Sequence, residues 1–179
     1  VMKFVLTSIL LQIIQPLLLL IATFKWGDWR NWEKYYPTIL FIICLDFFSS
    51  ILMYEHPLWI YKESLFLPNH TLTDFFIVFI MYPTVILLFL ANCPSKRMAQ
   101  IGWILLWITT FSVTEFISVA SGLGAYENGW NFGLSVLFNC VMFPILYIHH
   151  HKPLLAWLLA LSVALYIILS FHFPIETMK

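Results

Sequence analysis

Seven side chains in this sequence have types and positions suited to chemistry: Gln12, Gln15, Asp46, Glu115, Asn131, Ser135 and Asn139. All of them fall inside long apolar runs. Asp46 stands out most, at the centre of PTILFIICLDFFSSILMY. A carboxylate in the middle of a bilayer is costly and has to face a partner inside a helix bundle. Glu115, in FSVTEFIS, is in the same position, and neither run carries a Lys or Arg. Two such acids have three open states. Both can be neutral, because desolvation and a like neighbour disfavour the charged form. They can share one proton. Or they can hold an exogenous cation, such as a metal ion or an amine. Hydrogen bonding across helices alone would gain only about 0.6–2 kcal/mol per bond. That is little against the desolvation of two acids.

The elements that must position these groups are six apolar runs, at 4–24, 37–54, 72–92, 101–121, 130–148 and 154–173. Each is long enough to cross a bilayer core as a helix. With 61% hydrophobic and 10% charged residues, against about 25% charged in soluble domains, the chain has too few charges for a water-facing surface. The expected fold is all-α: one membrane domain over 1–179, with six transmembrane helices in a single bundle. The first run continues to Phe24 with no small-residue cleavage site, so it reads as a retained span. Pro16, Pro83 and Pro144 predict kinks in the first, third and fifth spans.

A rise of about 1.5 Å per residue sets the depths. Gln12, Asp46 and Asn139 come to about 12–13 Å from the same end of their spans, and Glu115 to about 9 Å. Residues three and four apart share a helix face. Ser112, Glu115 and Ser118 therefore line up, as do Asn131, Ser135 and Asn139, and Ser8, Gln12 and Gln15. These stripes are expected to face one another, forming a polar layer that binds a ligand or proton.

Two connecting segments, 25–36 and 57–68, are expected to lie at the membrane interface. In the first, Trp26, Trp29, Trp32 and Tyr36 recur at helical spacing between charges, which suits the headgroup layer. In the second, Pro57 and Pro68 bracket an expected short helix. Thr71 and Asp74 match a capping box ahead of the third span. Lys25, Arg30, Lys34, Lys96, Arg97 and Lys152 fall in the odd-numbered loops, and only Lys3, Lys62 and Lys179 on the other side. This bias places the odd loops in the cytoplasm and both termini outside.

His56, His70 and His172 lie on the outer side near acids and are weak metal candidates. His149, His150 and His151 point around their helix and read as an interfacial cationic patch. Cys44, Cys93 and Cys140 show no metal or redox spacing and read as buried small hydrophobes. No cofactor is expected. The neutral formal charge gives no reason for a nucleic-acid partner. The expected partners are the lipid bilayer, a small-molecule or ion ligand, and a second copy of the chain as a homodimer.

Trp32, Tyr35-Tyr36-Pro37, Asp46, Leu58-Trp59, Pro68, Pro83 with Leu90, Glu115 and Asn128-Gly129-Trp130-Asn131 together resemble a family of small polytopic membrane proteins found in spore-forming Gram-positive bacteria. The resemblance implies a multi-pass protein of a bacterial plasma membrane and brings no established activity. The residues themselves point to a binding or transport protein for a proton or small cationic ligand. The competing expectation is a membrane sensor or scaffold that docks a partner through its aromatic cytoplasmic loop. An enzyme is the weaker expectation, because no nucleophile arrangement is visible.

Overall fold

A computed structural model describes residues 2–173 and is all-α apart from two short strands. Its long helices are α1 (Met2–Trp26), α2 (Tyr36–Leu52), α3 (His70–Ala91), α4 (Arg97–Ala120), α5 (Phe132–His151) and α6 (Pro153–Ser170). Five of them are long and apolar enough to cross a membrane, while α2 is apolar but has only 17 residues. Their outer faces carry exposed Leu, Ile and Phe, such as Leu18 and Ile21 on α1, Leu105 and Phe116 on α4, and Leu158 and Leu165 on α6. Helices of this length with apolar outer faces fit a membrane protein, in which lipid covers those faces.

Helix α5 is the centre of the packing, with α2, α4 and α6 against it, and α1 reaches the bundle through α3. Phe89, Phe143, Ile86 and Leu146 form the heart of one buried cluster. Leu58, Trp130 and Phe173 form a smaller one at the opposite end of the bundle. The space between the two clusters is where the polar stripes meet.

The prolines act in two different ways. Pro16 and Pro83 each follow a π-helical turn, Leu10–Ile14 in α1 and Ile77–Met81 in α3. Proline offers no N–H and its ring crowds the carbonyl one turn back. Widening that turn relieves the clash and changes which side chains face inward. Gln12 lies in the first widened turn; Tyr82 directly follows the second. Pro144, by contrast, sits within a continuous α-helix.

The connections differ most from expectation. Residues 57–68 form no helix. Trp59–Tyr61 is a strand (β1), paired antiparallel with Gly124–Tyr126 (β2), with Trp59 opposite Tyr126 and Tyr61 opposite Gly124. The run Trp-Ile-Tyr is aromatic and β-branched, which suits a strand, and pairing satisfies backbone groups that a loop over an apolar bundle would leave unbonded. Segment 25–36 is not one amphipathic helix either. Trp26 ends α1, Gly27 is extended, and Trp29–Lys34 forms a 3-10 turn interrupted at Asn31. The indole N–H of Trp29 donates to the Thr23 carbonyl at 2.6 Å, which also accepts from the Gly27 N–H, and ties this turn back onto the end of α1. Trp26, Trp32 and Tyr36 remain exposed, as a headgroup belt requires.

Helix α3 starts earlier than the capping-box pattern implied. Asn69 is its cap, with its side-chain oxygen accepting from the Leu72 N–H at 2.9 Å. Asparagine caps better than threonine, and Asp74 is left to accept from the Ser50 hydroxyl at 3.2 Å. The consecutive histidines are not one patch. His149 is buried, stacked on Phe41 at 4.1 Å and 3.0 Å from the Thr38 hydroxyl, whereas His150 stacks on Tyr35. Cys44 and Cys140 lie on exposed faces rather than in the core.

Candidate functional site

Six of the seven singled-out residues line one cavity of about 270 Å³: Gln12, Gln15, Asp46, Glu115, Ser135 and Asn139. They come from α1, α2, α4 and α5, and α3 adds Thr73, Met81 and Tyr82. The β1–β2 pair forms a further wall, through Trp59, Tyr61 and Tyr126. Asn131 is the exception. It is exposed, and its side-chain oxygen accepts from the Leu134 N–H at 3.2 Å, which makes it the cap of α5 rather than part of the cavity. Its spacing from Ser135 puts it on the right face, but the end of α5 needs a cap and takes it.

Each acid is held by a tyrosine. The Tyr82 hydroxyl donates to Asp46 Oδ1 at 2.7 Å, and the Tyr126 hydroxyl donates to Glu115 Oε1 at 2.9 Å. Asp46 Oδ2 is shut off from solvent and accepts from no donor among the described residues. The amide groups are tied down. Gln12 bonds to the Ser64 hydroxyl at 2.7 Å, Gln15 donates to Thr114 Oγ1 at 3.3 Å, and Asn139 donates to Ser112 Oγ at 3.2 Å. The Trp130 indole N–H donates to Ser135 Oγ at 2.8 Å, locking a wall residue to α5. The polar groups are thus oriented before anything binds.

Sequence reasoning missed Tyr82, Tyr126, Tyr61 and Lys62, all of which line this cavity. A phenol in the middle of an apolar span needs a hydrogen-bond partner, so Tyr82 was recognisable as a partner for an acid at matched depth. Lys62 amends the picture of acids with no cation from their own spans. It belongs to a connection, is exposed, and borders the cavity rather than pairing within a span.

The tyrosines of the strand pair feel the acids. Burial pushes the Tyr61 hydroxyl above its ordinary value, and the negative charges of Asp46, Asp74 and Glu115 add to that. Burial, then the hydrogen bond to Glu115, pushes Tyr126 up to about 12. A phenol raised by folding favours the folded state while neutral, at pH below the unfolded value of about 10. That contribution is lost as pH rises through the folded value. We expect phenolate absorbance in a titration of the folded protein to include a step near pH 12 that Tyr126→Phe removes.

The metal candidates do not converge. Among the described residues no group of three or more His, Cys, Asp and Glu side chains could hold a metal ion. His56 packs edge-on against Phe173 and His70 lies against Tyr61, so aromatic rings take the places that other ligands would need. His172 is exposed in a left-handed turn.

No protein-family profile, no curated protein and no solved structure matches this chain.

Proposed function

We propose that this protein binds a small organic cation in the cavity between its helices, with Asp46 as the principal counter-charge. The observation that carries the reading is that Asp46 and Glu115 line the same cavity of about 270 Å³ among aromatic walls. Carboxylates give a cation its charge partner, and the faces of Trp59, Tyr61, Tyr126 and Trp130 suit alkylated ammonium through cation–π attraction. Gln12, Gln15, Asn139 and Ser135 add oriented dipoles. Lys62 is exposed at the border, where its ammonium can stay hydrated.

The site sits in a six-span bundle in this reading. Strands β1 and β2 belong to the α2–α3 and α4–α5 connections and pair with each other, so those connections share one end. Tyr35, ahead of α2, stacks on His150 at the end of α5, so the opposite connections share the other. Helix α2 then runs end to end like its neighbours. Its 17 residues give about 26 Å, one residue less than α6. The lysine and arginine bias puts the β1–β2 end, with the start of α1 and the end of α6, outside, and a bacterial plasma membrane is the location that the family resemblance implies.

A proton and a cation compete for the same carboxylate. Binding of tetramethylammonium, followed by calorimetry on the protein in nanodiscs, is therefore expected to be saturable and to weaken as pH falls. A neutral molecule of similar shape, tert-butanol, is expected not to bind. If tetramethylammonium, methylammonium and guanidinium all give no saturable heat, the reading is wrong.

A further inference from the structure

A second cavity, of about 150 Å³, adjoins the first. The two share five wall residues: Asp46, Trp59, Tyr82, Phe138 and Met142. The polar groups concentrate on one side of that shared wall. The first cavity sets its acids, amides and hydroxyls among apolar side chains such as Phe76, Met81 and Phe111; in the second, Asp46 and Ser49 are the only wholly polar side chains.

The second cavity has a position that the first lacks. Helix α6 packs mainly on α5, and α2 packs on α3 and α5, so α2 and α6 flank a cleft over α5. Phe48 on α2 and Ala160, Val163, Ala164 and Ile167 on α6 line it. Ala160 and Ala164 are one turn apart, so the α6 face is shallow where the cleft needs room. Phe48 is 42% exposed on the outer face of the bundle, which places the cleft's rim where lipid covers the helices.

We propose that the ligand is a cationic amphiphile, with its charged head in the first cavity beside Asp46 and its hydrocarbon chain in the cleft between α2 and α6. This rests on the cation-binding reading above and extends it to the substrate class and its route. A water-soluble cation would use only the polar cavity. A cavity that holds the polar groups beside a mostly apolar cleft, with a carboxylate in the wall they share, matches a molecule with one charge and one chain. Such a molecule already partitions into the bilayer, and its chain reaches the cleft sideways without crossing water. Plain lipid chains also fit the cleft, but they gain nothing from Asp46, so dependence on the head charge separates the two occupants.

The test uses the full chain in alkyl maltoside micelles, whose heads carry no ammonium group, and two photoreactive probes. One is an alkyltrimethylammonium with a diazirine on its chain. The other has the same chain with a hydroxyl head. Adducts are mapped by mass spectrometry. The expected result is about tenfold more adduct on the α2 and α6 walls for the cationic probe, equivalent to a 1.4 kcal/mol preference, removed by excess tetramethylammonium. Ala164→Phe, which fills the cleft, is expected to abolish these adducts and leave tetramethylammonium binding within about twofold, a change of under 0.5 kcal/mol. Should Ala164→Phe not fold, Ala164→Leu gives the same comparison. Equal labelling by both probes would mean a lipid-filled cleft and overturn the proposal. So would cleft walls left unlabelled while tetramethylammonium still binds, including a cleft covered by a second copy and seen as α6–α6 crosslinks; the cation reading would then stand alone. If tetramethylammonium does not bind at all, the cation reading itself fails.

Discussion

Asp46→Asn is expected to weaken tetramethylammonium binding by about 30-fold or more while leaving the fold intact. Removing one member of a desolvated charge pair costs about 2–5 kcal/mol, and each 1.4 kcal/mol is tenfold in affinity. The fold survives because the substitution keeps shape and one acceptor. The Tyr82 hydroxyl, 2.7 Å from Oδ1, can still donate to an amide oxygen at that place. The buried Oδ2, which has no donor among the described residues, is replaced by a neutral group whose burial costs less than that of a charge. Thermal stability is therefore expected to hold or rise. The residual binding should also lose most of its pH dependence, because the competing proton has lost its principal site. Glu115→Gln is expected to have the smaller effect, since Glu115 lines the first cavity alone, whereas Asp46 lies in the wall that the two cavities share. Calorimetry on both variants decides it. Binding by Asp46→Asn within about threefold of the original protein, under 1 kcal/mol, would remove Asp46 from the role.

Much of this site could be read in the sequence, for a definite reason. The rise and period of an α-helix are fixed, so a polar residue's depth and face follow from its position in an apolar run. Asp46, Glu115, Gln12 and Asn139 were placed by that arithmetic, and they line one cavity. What the sequence hid depends on contacts between distant segments. The pairing of Trp59–Tyr61 with Gly124–Tyr126 joins residues more than sixty positions apart, and a three-residue strand has too little periodicity to show itself. Lys62 reaches the cavity border because of that pairing. Asn131 was misplaced because an asparagine at the start of a helix satisfies two patterns at once, a polar face and a cap. Local hydrogen bonding to its own helix end won. The prolines were visible as disturbances, but whether a turn widens, as before Pro16 and Pro83, or stays α-helical, as at Pro144, depends on the packing around it.

Phe143→Ala is expected to be the most damaging single substitution in the core, lowering stability by about 3 kcal/mol, the low end of the usual range for a buried Phe. Phe143 is fully buried, and its ring meets Phe89 at 5.3 Å, Phe111 at 5.0 Å and Trp107 at 6.2 Å. In a bilayer, lipid tails are as apolar as leucine, so the loss is one of packing rather than of transfer from water. That is why the low end applies: the void remains, but part of the hydrophobic penalty does not. Phe143→Leu is expected to recover more than half of the loss, since it refills most of the volume. Thermal unfolding in detergent, with the three forms compared, measures both. The same substitution should reach the proposed cation site. Phe111 lines the polar cavity from α4 and leans on Phe143 from α5. Without that support, the α4 wall that carries Glu115 and Ser118 loses its fixed distance from the α5 wall that carries Asn139. Cation affinity should therefore fall along with stability for Phe143→Ala and largely return for Phe143→Leu. An affinity unchanged in a destabilised Phe143→Ala protein would show that the cavity is held by its hydrogen bonds alone, above all Asn139 to Ser112.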